Sequence, residues 1–136
     1  MPREERSARH RVLIIDDEES TRLRLARYLS KDLKIEAQLA GTCEQALRFA
    51  GDYAYDAILL DLLMPGIGGL EVLREIRRAS PNAATPVVVI SVVSDPEIIE
   101  RCLAAGASAY HVKPVRRAEL VASIQKQLAS RRKPSR

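Results

Sequence analysis

Asp61 closes the apolar run Ala57-Ile58-Leu59-Leu60, and Leu62-Leu63-Met64-Pro65 follows it, with Gly66, Gly68 and Gly69 just beyond. A continuous apolar run with turn residues behind it reads as a buried strand of a parallel sheet. A carboxylate at the C-terminal end of such a strand lies on the edge where open α/β sheets place their ligands. The same position also suits an Asp that merely starts a turn. Three further apolar runs end in chemistry-bearing residues. Val12-Leu13-Ile14-Ile15 ends in Asp16, Asp17, Glu18 and Glu19; Val87-Val88-Val89-Ile90 ends in Ser91; Ala109-Tyr110-His111-Val112 ends in Lys113-Pro114. Acids at a helix start also favour the helix dipole, so part of the first cluster has a structural role open to it. Three carboxylates, a hydroxyl and an ammonium, each at a strand end, are hard to ascribe to accident.

The intervening segments read as helices. After the acids, Leu25, Tyr28 and Leu29 sit at helical spacing, with Leu23 nearby and an end near Ser30. Residues 34–40 alternate Ile35, Ala37 and Leu39 against polar neighbours, which predicts a half-buried edge strand. Thr42-Cys43-Glu44-Gln45 has capping-box spacing and opens a second helix, with Ala46, Leu47 and Phe49 or Ala50 inward. A third helix spans 69–79 on Leu70, Leu73 and Ile76, with Val72 beside them, and Ser80-Pro81-Asn82 breaks it. Ser94-Asp95-Pro96-Glu97 starts a fourth, which runs through Ile98, Ile99, Cys102 and Leu103 to a Gly106 cap. Leu120, Ile124 and Leu128 define a fifth.

Strand and helix alternate five times, which specifies an α/β fold: a parallel sheet with right-handed crossovers and helices on both faces. An edge-like second strand and buried third, fourth and fifth strands favour the doubly wound order 2-1-3-4-5, a flavodoxin-like three-layer sandwich. The C-terminal strand ends then share one edge, which brings Asp16, Asp17, Asp61, Ser91 and Lys113 together.

Composition agrees. The 136 residues suit one domain, and with 46% hydrophobic but only 4% aromatic residues the core must be aliphatic. No apolar run approaches the length of a membrane span, and no signal peptide is legible, so a cytoplasmic protein with no membrane partner is expected. Cys43 and Cys102 lack metal-ligand spacing and are expected as free, partly buried thiols. Arg131, Arg132, Lys133 and Arg136 account for the net charge of +4. The basicity is therefore a tail property, and with no aromatic or helix-turn-helix pattern beside it, nucleic-acid binding by the domain itself is not expected.

Together these residues resemble the receiver domain of two-component response regulators, of the CheY-like kind. The matching pieces are Asp16-Asp17, Asp61-Leu62-Leu63-Met64-Pro65, Ser91 thirty residues after Asp61, and Lys113-Pro114 with Tyr110 three before Lys113. The resemblance covers about residues 11–130, leaving 1–10 as a flexible leader and 131–136 as a basic tail or the start of a linker. It implies that Asp61 is the phosphoacceptor, fed by a sensor histidine kinase or a histidine phosphotransfer protein. It implies that Asp16, Asp17, Asp61 and the backbone carbonyl of Leu63 hold one Mg²⁺. Lys113 would place a positive charge on Asp61 and its phosphate, across a cis bond to Pro114. Ser91 would bond a phosphate oxygen, and Tyr110 would follow it inward. The face of helix four, strand five and helix five would change for an output domain or target protein. Such a protein is a switch that catalyses only its own phosphoryl transfer and dephosphorylation.

Three positions depart from the family pattern. Gly68 and Arg116 replace residues that often cap helices. Val92, after Ser91, is larger than the usual Ala or Gly, and a branched side chain there should crowd the phosphoryl group. Two other classes fit the residues less well. A phosphohydrolase with an Asp nucleophile would carry a second Asp two residues on, where this chain has Leu63. A flavodoxin-like cofactor binder would carry a Gly- or Ser/Thr-rich loop after strand one, where this chain has acids.

Overall fold

A computed structural model describes residues 9–78 and 80–132. Most of the expected leader, Ala79 and the last four residues of the expected tail lie outside the described residues. The elements alternate as β1 (His10–Ile15), α1 (Glu19–Asp32), β2 (Ile35–Ala40), α2 (Cys43–Asp52), β3 (Ala57–Leu60), α3 (Gly69–Arg78), β4 (Val87–Ser91), α4 (Pro96–Ala104), β5 (Ala109–Val112) and α5 (Arg117–Arg132). All strands are parallel, in the order β2-β1-β3-β4-β5. This is the doubly wound α/β sandwich that the alternation specifies.

The central strands read as unbroken apolar runs because successive residues serve opposite faces, and both faces are covered. Leu13, Ile15, Ile58, Leu60, Val87 and Val89 pack under Ala46 and Ala50 of α2, Val72, Leu73 and Ile76 of α3, and Cys102 of α4. Val12, Ile14, Leu59, Val88 and Ile90 pack under Leu25 and Leu29 of α1 and Leu120, Ile124 and Leu128 of α5. Both cysteines are free and buried, and burial pushes the Cys102 thiol above its ordinary pKa against the lowering effect of Arg74. Among the described residues no helix is long and apolar enough to cross a membrane.

The caps follow the sequence with one shift. Thr42 Oγ1 accepts the Gln45 N–H at 3.0 Å, but the Gln45 side chain returns to the Gly41 N–H at 2.8 Å rather than to Thr42. At α4 the cap is Asp95, whose Oδ1 accepts the Glu97 N–H at 2.9 Å. Two expectations need correction. Ala37 is exposed rather than inward, because only Ile35, Leu39 and Ala40 of β2 find a layer to pack against. The fifth strand is not buried: it is the other sheet edge, half-buried, with Val112 41% exposed. The strand order itself requires this, since whichever strand lies last has a neighbour on one side only.

Asn82, which the sequence marks only as part of a helix break, ties together the loops at the N-terminal edge of the sheet. Fully buried, it donates to the Ala50 and Tyr53 carbonyls at 2.8 and 2.7 Å and accepts from the Tyr55 N–H and the Thr85 hydroxyl at 2.7 and 3.0 Å. Truncation orphans several buried backbone groups at once. Asn82→Ala is expected to lower the unfolding free energy by about 2–3 kcal/mol, read from a urea titration at unchanged slope.

Candidate functional site

Strand register assembles the site. Ile15 pairs with Leu60, so β1 and β3 stop together, and the Asp61 N–H donates to the Ile15 carbonyl at 3.0 Å. Ser91 pairs with Val112, and the Lys113 N–H donates to the Ser91 carbonyl at 2.8 Å. Four strand ends thus deliver Asp16, Asp61, Ser91 and Lys113 to one rim, as the parallel topology requires.

Asp16, Asp17 and Asp61 each offer an oxygen within 4.8 Å of the others. Asp16 and Asp61 are 2% and 6% exposed, whereas Asp17 is open to solvent. Lys113 Nζ donates to Asp16 Oδ2 at 2.9 Å and to Asp61 Oδ2 at 3.3 Å. The sequence reading paired Lys113 with Asp61; the shorter bond goes to Asp16. Burial by itself works against the ammonium, but the hydrogen bond to Asp16 and the charges of Asp61 and Asp16 outweigh it, so Lys113 titrates above the ordinary lysine value. The peptide bond before Pro114 is cis, as expected.

Several further polar atoms at the rim are hydrogen-bonded. Asp16 Oδ1 accepts the Glu18 N–H at 2.9 Å, and Asp61 Oδ1 accepts the Leu63 N–H at 3.2 Å. Ser91 is fully buried, and its Oγ accepts the Val93 N–H at 3.3 Å. Tyr110 is half-buried against the core, and its hydroxyl donates to the Val93 carbonyl at 2.6 Å. Burial raises the Tyr110 pKa above its ordinary value, against the lowering effect of the Ser91 hydroxyl, so it remains a donor at neutral pH. Ser91 and Tyr110 therefore both hold the loop between β4 and α4. His111 turns away from the site, with Nε2 at 2.8 Å from Ser123 Oγ on α5.

Val92 is 58% exposed and, with Lys113, Pro114, Thr21 and Leu25, lines a cleft of about 340 Å³. Leu63, two residues after Asp61, is 53% exposed and offers no side-chain acid to the site. Sequence reasoning missed Arg22, whose Nη1 donates to the Asp16 carbonyl oxygen at 2.7 Å. Its signal was a cation in the first turn of a helix, where the dipole disfavours one.

Two buried carboxylates that share one ammonium, with a third and exposed one beside them, leave an excess of negative charge at the rim. Two such charges at about 4 Å repel by about 4 kcal/mol at an effective dielectric of 20. An all-oxygen donor set open on one side fits Mg²⁺, which takes oxygen ligands and keeps waters.

Comparison with known proteins identifies the class. Residues 12–125 match the family model of the response regulator receiver domain. The chain is 40% identical over 116 residues to the sensory/regulatory protein RpfC of Xanthomonas campestris pv. campestris, which covers 84% of this chain and 16% of that protein. It is 36% identical over 124 residues to the response regulator GacA of Pseudomonas viridiflava, covering 90% of this chain and 56% of GacA. Among solved structures, the receiver domain of the sensor histidine kinase PA1611 of Pseudomonas aeruginosa, with a magnesium ion coordinated in its active site cleft, superposes with a TM-score of 0.81. It shares 30% identity and covers 90% of this chain and 99% of that one. This chain belongs to the response regulator receiver domain family. It is a unit of phosphorylation-dependent, two-component signalling, and such domains are switches rather than enzymes with a separate substrate.

Proposed function

We propose that Asp61 is the phosphoacceptor, that Asp16 and Asp17 with Asp61 and the Leu63 carbonyl hold Mg²⁺, and that Ser91 and Tyr110 carry the change outward. The observation that supports this most is Lys113 Nζ bridging two buried carboxylates beside an exposed third. An Asp61 oxygen attacks the phosphorus of a phosphohistidine on a sensor kinase or histidine phosphotransfer protein. The P–O bond forms, the P–N bond breaks, and the imidazole leaves with its electron pair and takes up a proton. A bound divalent cation supplies charge neutralisation for the phosphoryl oxygens. Lys113 transfers part of its hydrogen bonding from Asp61 to the phosphoryl group, and the Ser91 hydroxyl exchanges the Val93 N–H for a phosphate oxygen. That exchange loosens the loop whose Val93 carbonyl holds Tyr110, which couples the site to α4, β5 and α5, where an output domain or target docks. Residues 11–130 act as this unit, in the cytoplasm, and later hydrolysis of the acyl phosphate resets it.

Beryllofluoride with Mg²⁺ tests the assignment, since it mimics the acyl phosphate. Amide spectra should change at Asp61, Ser91 and Tyr110 together, with one adduct per chain; no change at Asp61 would refute the reading. Val92 stands beside Lys113 at the cleft and restricts water reaching the phosphorus. Val92→Ala is expected to shorten the acyl-phosphate lifetime by about threefold to tenfold, about 1 kcal/mol in barrier, followed as loss of label over time.

A further inference from the structure

The cation site needs Asp17 to present an oxygen to Asp16 and Asp61, yet Asp17 is exposed, so the backbone that carries it has to be held in place. The peptide plane that joins Asp16 to Asp17 is held at its oxygen by Arg22 Nη1, at 2.7 Å. The preceding plane is held by the Asp16 N–H, which donates to the Ala40 carbonyl at 3.1 Å. Rotation of the 16–17 plane would swing the Asp17 side chain, and the guanidinium opposes that rotation. The guanidinium occupies the space over Gly41, where an added Cβ would lie 2.7 Å from Arg22 Nη1 and 3.2 Å from its Cζ. A cation in the first turn of α1 works against the helix dipole, so the position has to be compensated, and the Asp16 carbonyl does so.

We propose that Arg22, seated in the slot that Gly41 leaves open, is a positioning residue for the divalent cation, acting through the Asp16 carbonyl on Asp17. This rests on the reading of Asp16, Asp17 and Asp61 as the Mg²⁺ site. Groups that orient metal ligands are worth about tenfold to a hundredfold in affinity. A mere charge effect has the opposite sign: deleting a cation near three acids would tighten Mg²⁺ binding. The two variants also separate charge from position. Gly41→Ala keeps the charge but displaces the guanidinium, and the displaced atoms end a flexible side chain, so the fold tolerates it.

The test is calorimetric titration of the full chain with magnesium chloride at fixed ionic strength. Arg22→Gln and Gly41→Ala are each expected to raise the Mg²⁺ dissociation constant about tenfold, and the double variant no further, because both break one contact. Metal-free melting of Gly41→Ala should stay near wild type, which excludes general unfolding as the cause. Unchanged or tighter binding in either single variant overturns the role of Arg22 while wild type still binds and Asp17→Asn does not. Wild type that fails to bind Mg²⁺ overturns the cation site, and this role with it.

Discussion

Asp61→Asn is expected to abolish phosphoryl acceptance, by on the order of 10³-fold or more, since it removes the proposed nucleophile and no neighbouring group is placed to replace it. Asp16 is nearby but has its Oδ2 on Lys113 and its Oδ1 on the Glu18 N–H, and Asp17 is exposed on the loop before α1. The amide keeps the carboxylate's shape, and its oxygen can still accept from Lys113, so the fold should survive. Metal-free stability should rise, by about 1 kcal/mol, because two buried carboxylates no longer share one ammonium. The measurement pairs acid-labile label from a phosphorylated histidine donor with urea unfolding. Label retained at wild-type level in Asp61→Asn would move the acceptor elsewhere.

Much of this site was legible because a parallel sheet turns sequence position into spatial position. Once four apolar runs are recognised as strands, the residue after each one is assigned to a common rim, and Asp16, Asp61, Ser91 and Lys113 need no further information. What stayed hidden depends on side chains reaching across elements. Arg22 meets the Asp16 carbonyl over Gly41, and Arg77 meets the Gly106 carbonyl at 2.8 Å where a Cβ on Gly106 would lie 2.7 Å from its Nε. In both cases a glycine is the floor of an arginine slot. Asn82 reads as turn punctuation for the same reason, since three of its four partners, Ala50, Tyr53 and Tyr55, lie about thirty residues earlier in the chain. The preference of Lys113 for Asp16 over Asp61 is a matter of a few tenths of an ångström, below what spacing can encode. The half-exposed fifth strand was a misreading of a short apolar run, which periodicity cannot separate from a buried strand.

Lys113→Met keeps the length of the stem and removes the charge, and its expected consequences run in opposite directions with and without metal. In the metal-free protein, Asp16 and Asp61 lose their shared cation while 2% and 6% exposed. Breaking a buried pair from one side leaves an uncompensated charge, and allowing for the 19% exposure of the lysine side chain the loss should be about 2–3 kcal/mol. Added Mg²⁺ should recover most of it and should bind on the order of tenfold more tightly than to wild type, because a competing positive charge has left the site. Phosphoryl acceptance at saturating Mg²⁺ should nonetheless fall about 10²-fold, since the charge proposed to meet the developing phosphoryl oxygens is gone. The pH dependence gives an independent check. The folded Lys113 titrates above its unfolded value, so its contribution is whole below the unfolded pKa of about 10.4 and is lost as pH rises through the folded one. The stability difference between wild type and Lys113→Met should therefore be flat from about pH 7 to 9 and shrink above about pH 10.5. A difference that stayed flat through about pH 11, or a variant as stable as wild type without metal, would remove Lys113 as the countercharge that lets two acids share this rim.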